Sequence, residues 1–276
     1  MIVLKAVSFS YGKEMILKDI DLRINEGEFV GIIGPNGSGK TTLLKLMNGL
    51  LIPNAGEVEV DGMKTNIQEQ NWEIKKIAGY VFQNPENQIV GITVEEDLVF
   101  GMENVGLPVD EMKRRIKEVL QFVGLEGFEK RSVNSLSGGQ KQRLAVASIL
   151  AIGPKYFLFD EPTSMLDPNS RKDFLQVLKK LRESGKTIVM ISHDLEELIE
   201  CNRLLFIYDG RVLLDDKPVK ALKDILENGE MIKYVDIPDS IRFQILLEKY
   251  GLIDKKDYLL KKIELIKVVK DLVNTF

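Results

Sequence analysis

Cysteine and histidine are almost absent from this sequence. Its 276 residues include one cysteine, Cys201, and one histidine, His193. A single cysteine excludes an internal disulfide, which suits a reducing compartment. We interpret Cys201 as an ordinary small apolar residue rather than a reactive thiol.

Long apolar runs are also missing. No run approaches the roughly 20 residues that a membrane-spanning helix needs. Residues 1–7 alternate like a strand, and they have neither the basic region nor the small-residue cleavage site of a signal peptide. We therefore expect a soluble or peripheral protein, for which any membrane role comes through a partner.

An excess of positive charge is absent as well. The chain has 38 Lys and Arg against 42 Asp and Glu, which gives a net charge of −4. The protein therefore lacks the net positive charge that would attract nucleic acid. Hydrophobic residues make up 44% and charged residues 29%, values typical of globular proteins with room for one large domain or two small ones.

The strongest motif is a glycine-rich loop at residues 34–42. It lies between the apolar runs 29–33 and 43–47, an order that predicts strand, turn and helix. The spacing fits the pattern G-x-x-x-x-G-K-S/T. Glycines let backbone amides curl round an anion, and the helix N-terminus adds partial positive charge. The loop predicts a nucleoside triphosphate site made by Gly34, Pro35, Asn36, Gly37, Ser38, Gly39, Lys40, Thr41 and Thr42, in which Lys40 reaches the outer phosphates and Thr41 offers its hydroxyl to Mg²⁺.

Three more buried strands are predicted from apolar runs at residues 77–82, 155–159 and 187–192. Ligands of open parallel sheets bind where the strands end. Gln83 and His193 follow two of these runs, so we place both at the nucleotide site. The alternatives are that Gln83 is a polar loop residue and that His193, like most lone histidines, is structural.

Two adjacent acids, Asp160 and Glu161, follow the remaining run. Acids beside a buried strand are costly unless they meet a cation or a reacting proton. We predict that Asp160 binds Mg²⁺ or its water and that Glu161 is the general base that polarises the attacking water. The alternative is that both acids lie in a solvated turn.

Tyr11 lies in a turn between the first two predicted strands. Its ring either packs against the turn or stacks on a nucleotide base.

The rest of the chain divides by its periodicity. Helical patterns without strand signals occupy about residues 94–152, which indicates a helical insertion in an α/β chain. The other predicted elements are strands at 2–9, 16–25 and 57–62, a helix at 41–50 with Leu43, Leu44, Met47 and Leu50 facing inward, helices at 94–100, 110–122, 143–151 and 170–184, and a hairpin over 204–215.

In their order, these motifs resemble those of the ATP-binding cassette ATPases. The resemblance covers residues 1–217. The motifs that carry it are the glycine loop, Gln83, the signature Leu136-Ser-Gly-Gly-Gln140, the acids Asp160 and Glu161, the turn Ser164–Asp167, and His193. It implies an α/β P-loop NTPase cassette with a mixed or parallel core sheet, an N-terminal antiparallel β-subdomain and an inserted α-helical subdomain within about 94–152. Residues 218–276 would form a C-terminal helical extension.

The resemblance also implies roles for the site residues. Tyr11 would stack on adenine, Gln83 and His193 would respond to Mg²⁺, water and γ-phosphate, and Mg²⁺ would be held by Thr41, Gln83 and Asp160, partly through water. Two cassettes would sandwich two ATP molecules, so that ATP binding closes the dimer and hydrolysis reopens it. The signature residues acting on the facing subunit's ATP would be Leu136, Ser137, Gly138, Gly139 and Gln140, and the interface turn would present Ser164, Leu166 and Asp167.

A narrower resemblance points to the ATPases of energy-coupling factor transporters, importers of vitamins or of cobalt or nickel. It rests on residues 83–88, the turn 164–168 and the length, with Met165 departing from the small residue commoner in the wider family. It implies a second ATPase subunit, a membrane-embedded coupling protein and a substrate-binding membrane protein at the cytoplasmic face of the membrane. An amphipathic coupling helix would dock between the helical block and the sheet.

Two matters stay open. Residues of the extension with helical spacing either pack on their own domain or make a second contact between paired ATPases; they are Ile241, Ile245, Leu246, Leu259, Ile263, Ile266 and Val269. The alternative functions are another ABC transporter class and an ABC ATPase acting on nucleic acid or ribosomes. The single cassette, the negative charge and the lack of a long heptad insertion between Thr42 and Leu136 argue against the latter, so we expect no nucleic acid partner.

Overall fold

The computed structural model describes residues 1–198, 200–229, 231–235 and 237–251, and within them it forms two β-sheets and several layers of helices. The strands are β1 (Ile2–Tyr11), β2 (Glu14–Ile24), β3 (Phe29–Ile33), β4 (Ala55–Val60), β5 (Met63–Lys64), β6 (Ala78–Val81), β7 (Tyr156–Asp160), β8 (Thr187–Ile191), β9 (Arg203–Tyr208) and β10 (Arg211–Asp216). The α-helices are α1 (Lys40–Met47), α2 (Gln68–Ile77), α3 (Val94–Asn104), α4 (Val109–Val123), α5 (Gly138–Ile152), α6 (Pro168–Glu183), α7 (Leu195–Leu198), α8 (Pro218–Glu227) and α9 (Asp239–Lys249).

The larger sheet has the order β10-β9-β3-β8-β7-β6. All neighbours in it pair in parallel except β10, which pairs antiparallel with β9 at the edge. Every residue of β3, β6, β7 and β8 is buried. Strands covered on both faces are continuously apolar, which is why these runs were recognisable in the sequence. The predicted mixed core sheet is confirmed.

The smaller sheet is antiparallel, in the order β2-β1-β4-β5. Ile2 lies opposite Ile24 on one side and Val60 on the other, and all three side chains are buried. Alternation along these strands sends one set of side chains into the core and the other to solvent. This is the predicted N-terminal antiparallel β-subdomain.

A helical block of α3, α4 and α5 is inserted between β6 and β7. Thr93 and Glu96 form a capping box at the start of α3, and α4 ends at Gly124 in a left-handed conformation, φ 70°. The buried residues of α4 are Met112, Ile116, Val119, Leu120 and Val123, and their helical spacing forms its inward face.

The structure departs from the local predictions at some helix boundaries and contains one helix that was not predicted. Helix α1 ends at Met47 because Gly49 has φ 75°, so Leu50 lies beyond the helix and is 44% exposed rather than inward-facing. Helix α2 was not predicted, since Ile74 is its only buried residue and it shows no apolar period. Helix α5 begins at Gly138, five residues before the predicted start at 143.

The extension begins with α8 and α9. Leu222, Ile225 and Ile241 are buried in the same cluster as the core sheet and the helical block, which supports packing of this part on its own domain. Leu246 is exposed, and Leu259, Ile263, Ile266 and Val269 lie outside the described residues. No helix in the described part of the chain is both long enough and apolar enough to cross a bilayer.

Candidate active site

Strand order brings the predicted site residues together. The strands β3, β8, β7 and β6 are consecutive parallel neighbours, so their carboxyl ends share one edge of the sheet. The segments leaving this edge carry the glycine loop 34–42, His193, the pair Asp160 and Glu161, and Gln83. Side chains separated by more than 100 residues in the sequence thereby meet at one place.

The glycine loop needs its glycines for reasons the structure makes explicit. Gly34 has φ 146°, and a Cβ there would lie 2.0 Å from the carbonyl oxygen of Ile207. Gly39 has φ 101° and caps α1, and a Cβ there would lie 2.6 Å from Leu17 Cδ2. Both positions combine a left-handed backbone with close neighbours, so only glycine fits. The N-terminus of α1 consequently opens directly onto the loop.

Lys40 is buried inside the loop. Its Nζ donates hydrogen bonds to the carbonyl oxygens of Gly34 and Pro35, each at 2.9 Å. Burial lowers the pKa of the ammonium, against the raising effect of Glu161 and Asp160. A desolvated cation next to the backbone amides of the loop is suited to bind phosphate.

Asp160 is the buried carboxylate of the site, with 6% of the residue exposed. Thr41 Oγ1 donates to its Oδ1 at 2.8 Å, and Tyr80 OH donates to its Oδ2 at 2.6 Å. Burial, followed by the charge of Asp160, raises the pKa of Tyr80, so the phenol keeps its proton and acts as a donor. Sequence reasoning missed Tyr80, although it carries the only hydroxyl in the run 77–82.

Oxygen donors at this position suit Mg²⁺, which is usually bound through one or two protein oxygens together with substrate phosphates. Asp160 and Thr41 offer a carboxylate and a hydroxyl beside the glycine loop. Gln83 instead directs its Nε2 toward Glu161 and Ser164. The donor set therefore fits the predicted ion through Thr41 and Asp160.

Glu161 is held from two neighbouring strands. Its Oε1 lies 2.7 Å from His193 Nε2, and its Oε2 accepts from Gln83 Nε2 at 3.0 Å. Ser164 Oγ donates to the backbone oxygen of Glu161 at 3.0 Å, and Glu161 itself has φ 47°. A non-glycine residue with this backbone conformation is kept by its surroundings at some cost, which is common at functional sites.

A cleft of about 280 Å³ lies over the loop. Tyr11 and Glu161 line it together with Lys40 and Thr41. Tyr11 is half exposed and meets Phe9 edge to face, with ring centroids 4.9 Å apart. Of the described residues that line the cleft, none belongs to the segment 136–140.

That segment lies at the start of α5. Ser137 caps the helix and forms a capping box with Gln140, while the Leu136 side chain is buried. The two glycines differ. A Cβ on Gly139 would lie 2.3 Å from Ser170 Cβ on α6, whereas a Cβ on Gly138 would have no neighbour within 4 Å. Gly139 lets α5 approach α6, and Gly138 leaves the helix N-terminus open to solvent.

This difference predicts opposite outcomes for two alanine variants. Gly139→Ala inserts a methyl group against Ser170, and such overpacking costs about 1–3 kcal/mol. Gly138→Ala adds the group in open space and gains helix propensity, so its stability should be unchanged or slightly higher. Thermal unfolding of the two full-length variants measures this, and equal melting temperatures would contradict the packing role of Gly139.

The turn 164–167, which is predicted to lie at the subunit interface, is fixed by Asp167, which caps α6. Its carboxylate accepts from the backbone amides of Asn169 and Ser170 at 3.0 and 3.1 Å. Hydrogen bonds from Ser170 hold the pKa of Asp167 below its usual range. Ser164 and Asp167 are exposed, and Leu166 is half-buried against the core.

Two glutamines tie the segment before Gln83 to α5. Gln142 Nε2 donates to the carbonyl oxygen of Phe82 at 3.3 Å. Gln88 accepts from the Phe82 amide at 3.3 Å and donates to the carbonyl oxygen of Ala145 at 2.7 Å. The position of Gln83 is therefore coupled to the helix that begins at the signature, a link that no local sequence pattern reveals.

Comparison with known proteins gives consistent matches. The family described as ABC transporter matches residues 17–164. The energy-coupling factor transporter ATP-binding protein EcfA1 of Halalkalibacterium halodurans is 45% identical over 272 residues, covering 97% of this chain and 96% of that protein.

Two solved structures also match most of the chain. The structure of CbiO1 from Clostridium perfringens, part of the ABC transporter complex CbiONQ, is 29% identical with a TM-score of 0.74 over 91% of this chain and 96% of that one. A dimeric ATP-binding cassette in a post-hydrolysis state with bound ADP and Pi is 38% identical with a TM-score of 0.69, covering 79% of this chain and 99% of that one.

Proposed function

The chain belongs to the ABC transporter family as one of its ATPases, and from this premise we propose that the site binds ATP with Mg²⁺ and that Glu161 activates the attacking water. The observation that carries the proposal is the Glu161 carboxylate held between His193 and Gln83 beside the loop that contains Lys40. A carboxylate fixed on two sides, within reach of a phosphate site, is suited to accept a proton from water.

The other residues supply position and charge. Lys40 and the loop amides neutralise the outer phosphates, which is where phosphoryl transfer needs stabilisation. Thr41 and Asp160 would hold Mg²⁺, which when bound neutralises further phosphate charge. His193 and Gln83 orient Glu161, and Tyr11 at the edge of the cleft offers a ring for the adenine base.

Residues of another subunit complete the nucleotide-binding cleft. The signature residues lie outside the cleft of their own chain, and Ser137 and Gly138 present an exposed helix N-terminus that suits a γ-phosphate. A facing ATPase subunit, identical or homologous, therefore completes each site. ATP binding closes the pair and hydrolysis reopens it.

We further propose that this cycle powers an energy-coupling factor importer from the cytoplasmic face of the membrane. The relatives with this name match nearly the whole chain, including the extension. The cargo, a vitamin or cobalt or nickel, is then bound by a membrane partner, and a membrane-embedded coupling protein contacts the ATPase. Residues 1–217 act as the cassette, and residues 218–276 as an extension that contributes a second contact between the ATPases.

We assign docking of the coupling helix to an apolar groove beside the helical block. It has a volume of about 260 Å³ and lies between α2, α3 and α5. Its lining includes Trp72, Val90 and Phe100, which are 54, 60 and 51% exposed. Exposed aromatic and aliphatic side chains gathered in one groove suit the apolar face of an amphipathic coupling helix.

Phe100→Asp tests this docking. A charge in the groove should weaken capture of a membrane partner at least tenfold, since central aromatic residues commonly contribute about 2 kcal/mol or more. The measurement is the amount of polytopic membrane protein that co-purifies with the tagged full-length chain from detergent-solubilised membranes. Val109→Asp, at an equally exposed position on α4 outside the groove, is the control. Equal capture by wild type and Phe100→Asp would refute the assignment of the groove.

A further inference from the structure

Glu197 on α7 is a buried acid behind the active site. Its side chain is 1% exposed. Its Oε1 accepts from Arg171 Nε at 2.5 Å, and its Oε2 accepts from Thr163 Oγ1 at 2.8 Å and from Ser192 Oγ at 2.6 Å. Both carboxylate oxygens are therefore satisfied by side chains from three different segments.

Two of these segments carry a residue of the proposed mechanism, and the third follows the predicted interface turn. Thr163 follows Glu161 closely, Ser192 directly precedes His193, and Arg171 lies in the first turn of α6 after the interface turn. The base, the histidine and the turn are thus connected through one carboxylate.

Arg171 closes the network on a second side. Its Nη2 lies 2.5 Å from Asp194 Oδ2, next to His193 in the chain. Burial lowers the pKa of Arg171, but the charges and hydrogen bonds of Glu197 and Asp194 more than offset this effect and raise it. The guanidinium therefore stays charged between two carboxylates.

An ion pair with one buried partner is a poor way to gain stability alone; here the Glu197 side chain is 1% exposed and that of Arg171 is 34% exposed. Desolvation of the buried carboxylate offsets much of the attraction, and apolar residues of similar volume are often as stable in such places. A fully satisfied polar network does, however, fix its members in one geometry. Its placement behind three functional segments indicates that geometry is what it provides.

We propose that Glu197 and Arg171 form a clasp that positions Glu161 and His193 relative to the interface turn. The inference rests on the proposed ATPase mechanism and adds two positioning residues to it. Neither residue lines the cleft over the glycine loop, so the clasp acts on the orientation of the base and not on nucleotide binding. Misplacement of a catalytic group by about 1 Å costs on the order of 10²-fold in rate.

The test is steady-state ATP hydrolysis by the full-length chain and its Glu197→Gln and Arg171→Gln variants. Each substitution should lower turnover at least tenfold and leave the KM for ATP within threefold of wild type. Because both act through one network, the combined variant should be no slower than the slower single variant. Asp215→Asn is the matched control, since it removes the carboxylate that Arg203 contacts at 2.5 Å far from the site, and it should keep wild-type turnover.

Two further variants keep the outcomes interpretable. If the single variants fail to fold, Arg171→Met combined with Glu197→Leu removes both charges, should restore folding and should still hydrolyse slowly. Glu161→Gln reports on the proposed function separately: if wild type hydrolyses ATP and this variant does not, the mechanism stands whatever the clasp variants do. Turnover of Glu197→Gln within twofold of wild type, a parallel rise in KM, or an equal loss in Asp215→Asn would overturn the clasp.

Discussion

Glu161→Gln is expected to bind ATP normally and to hydrolyse it about 10²–10⁴-fold more slowly than wild type, the range that a positioned general base contributes. Glutamine has the same length and can still contact His193 and Gln83, which flank the carboxylate at 2.7 and 3.0 Å. It cannot accept the proton of the attacking water. The substitution therefore removes the proton acceptor and keeps the side-chain contacts with His193 and Gln83.

A second result should follow from the same variant. If hydrolysis reopens the closed pair, Glu161→Gln should accumulate as an ATP-bound dimer, seen by sedimentation with ATP and Mg²⁺ and reversed when ATP is removed. Glu126→Gln, which changes an exposed acid in the turn after α4 that does not line the cleft, is the control and should hydrolyse like wild type. Normal phosphate release by Glu161→Gln would show that another group acts as the base.

Lys40→Ala is expected to lose at least about 30-fold in ATP affinity, because removing one partner of a desolvated charged contact costs about 2–5 kcal/mol and each 1.4 kcal/mol is tenfold. The lysine is buried in the loop beside the amides that face the phosphates, and no other described cation lines the cleft. Calorimetric titration of the full-length chain with Mg²⁺ and ATP measures the loss.

The control for this variant is Lys45→Ala. Lys45 lies later on the same helix and does not line the cleft, so its removal should leave ATP affinity unchanged. Lys40 also donates to Gly34 and Pro35, and a melting temperature close to wild type would show that the loop remains folded. Unchanged ATP affinity in Lys40→Ala would rule out its role as the phosphate ligand.

The sequence was sufficient for the parts of the site that are local. The glycine loop is a contiguous pattern, and Gln83, Glu161 and His193 each follow a continuous apolar run. Because parallel strands end at a shared edge, finding the runs also predicted that these residues meet. The α/β class was indicated by the same runs together with the helical periodicity, whereas the mixed sheet was implied by the family resemblance.

Contacts between distant segments were not predictable in this way. Tyr80 meets Asp160, and Gln142 meets the Phe82 carbonyl, across spacings that carry no periodic signal. In the sequence, Glu197 is one of several acids between residues 194 and 200, and only the fold brings its carboxylate into hydrogen bonds with Thr163 and Ser192. Their partners are set by tertiary packing, which a single sequence does not display.

Helix α2 shows the same limit at the level of secondary structure. With Ile74 as its only buried residue, it has no apolar face to recognise. The signature glycines show that the roles of single residues are limited in the same way. The family resemblance gave Gly138 and Gly139 the same role. Their different surroundings, open space for Gly138 and Ser170 for Gly139, appear only in the structure.

The central claim is that this ATPase supplies half of a site that a facing subunit completes. The most direct measurement is ATP hydrolysis by Gly138→Glu in the complex captured from membranes through the tagged full-length chain. The new side chain enters open space and lies outside the chain's own cleft, so ATP binding by the isolated chain should persist. Hydrolysis by the complex should fall at least about tenfold, because a negative charge is placed beside the backbone amides that would face the γ-phosphate. Wild-type hydrolysis by this complex would contradict the account.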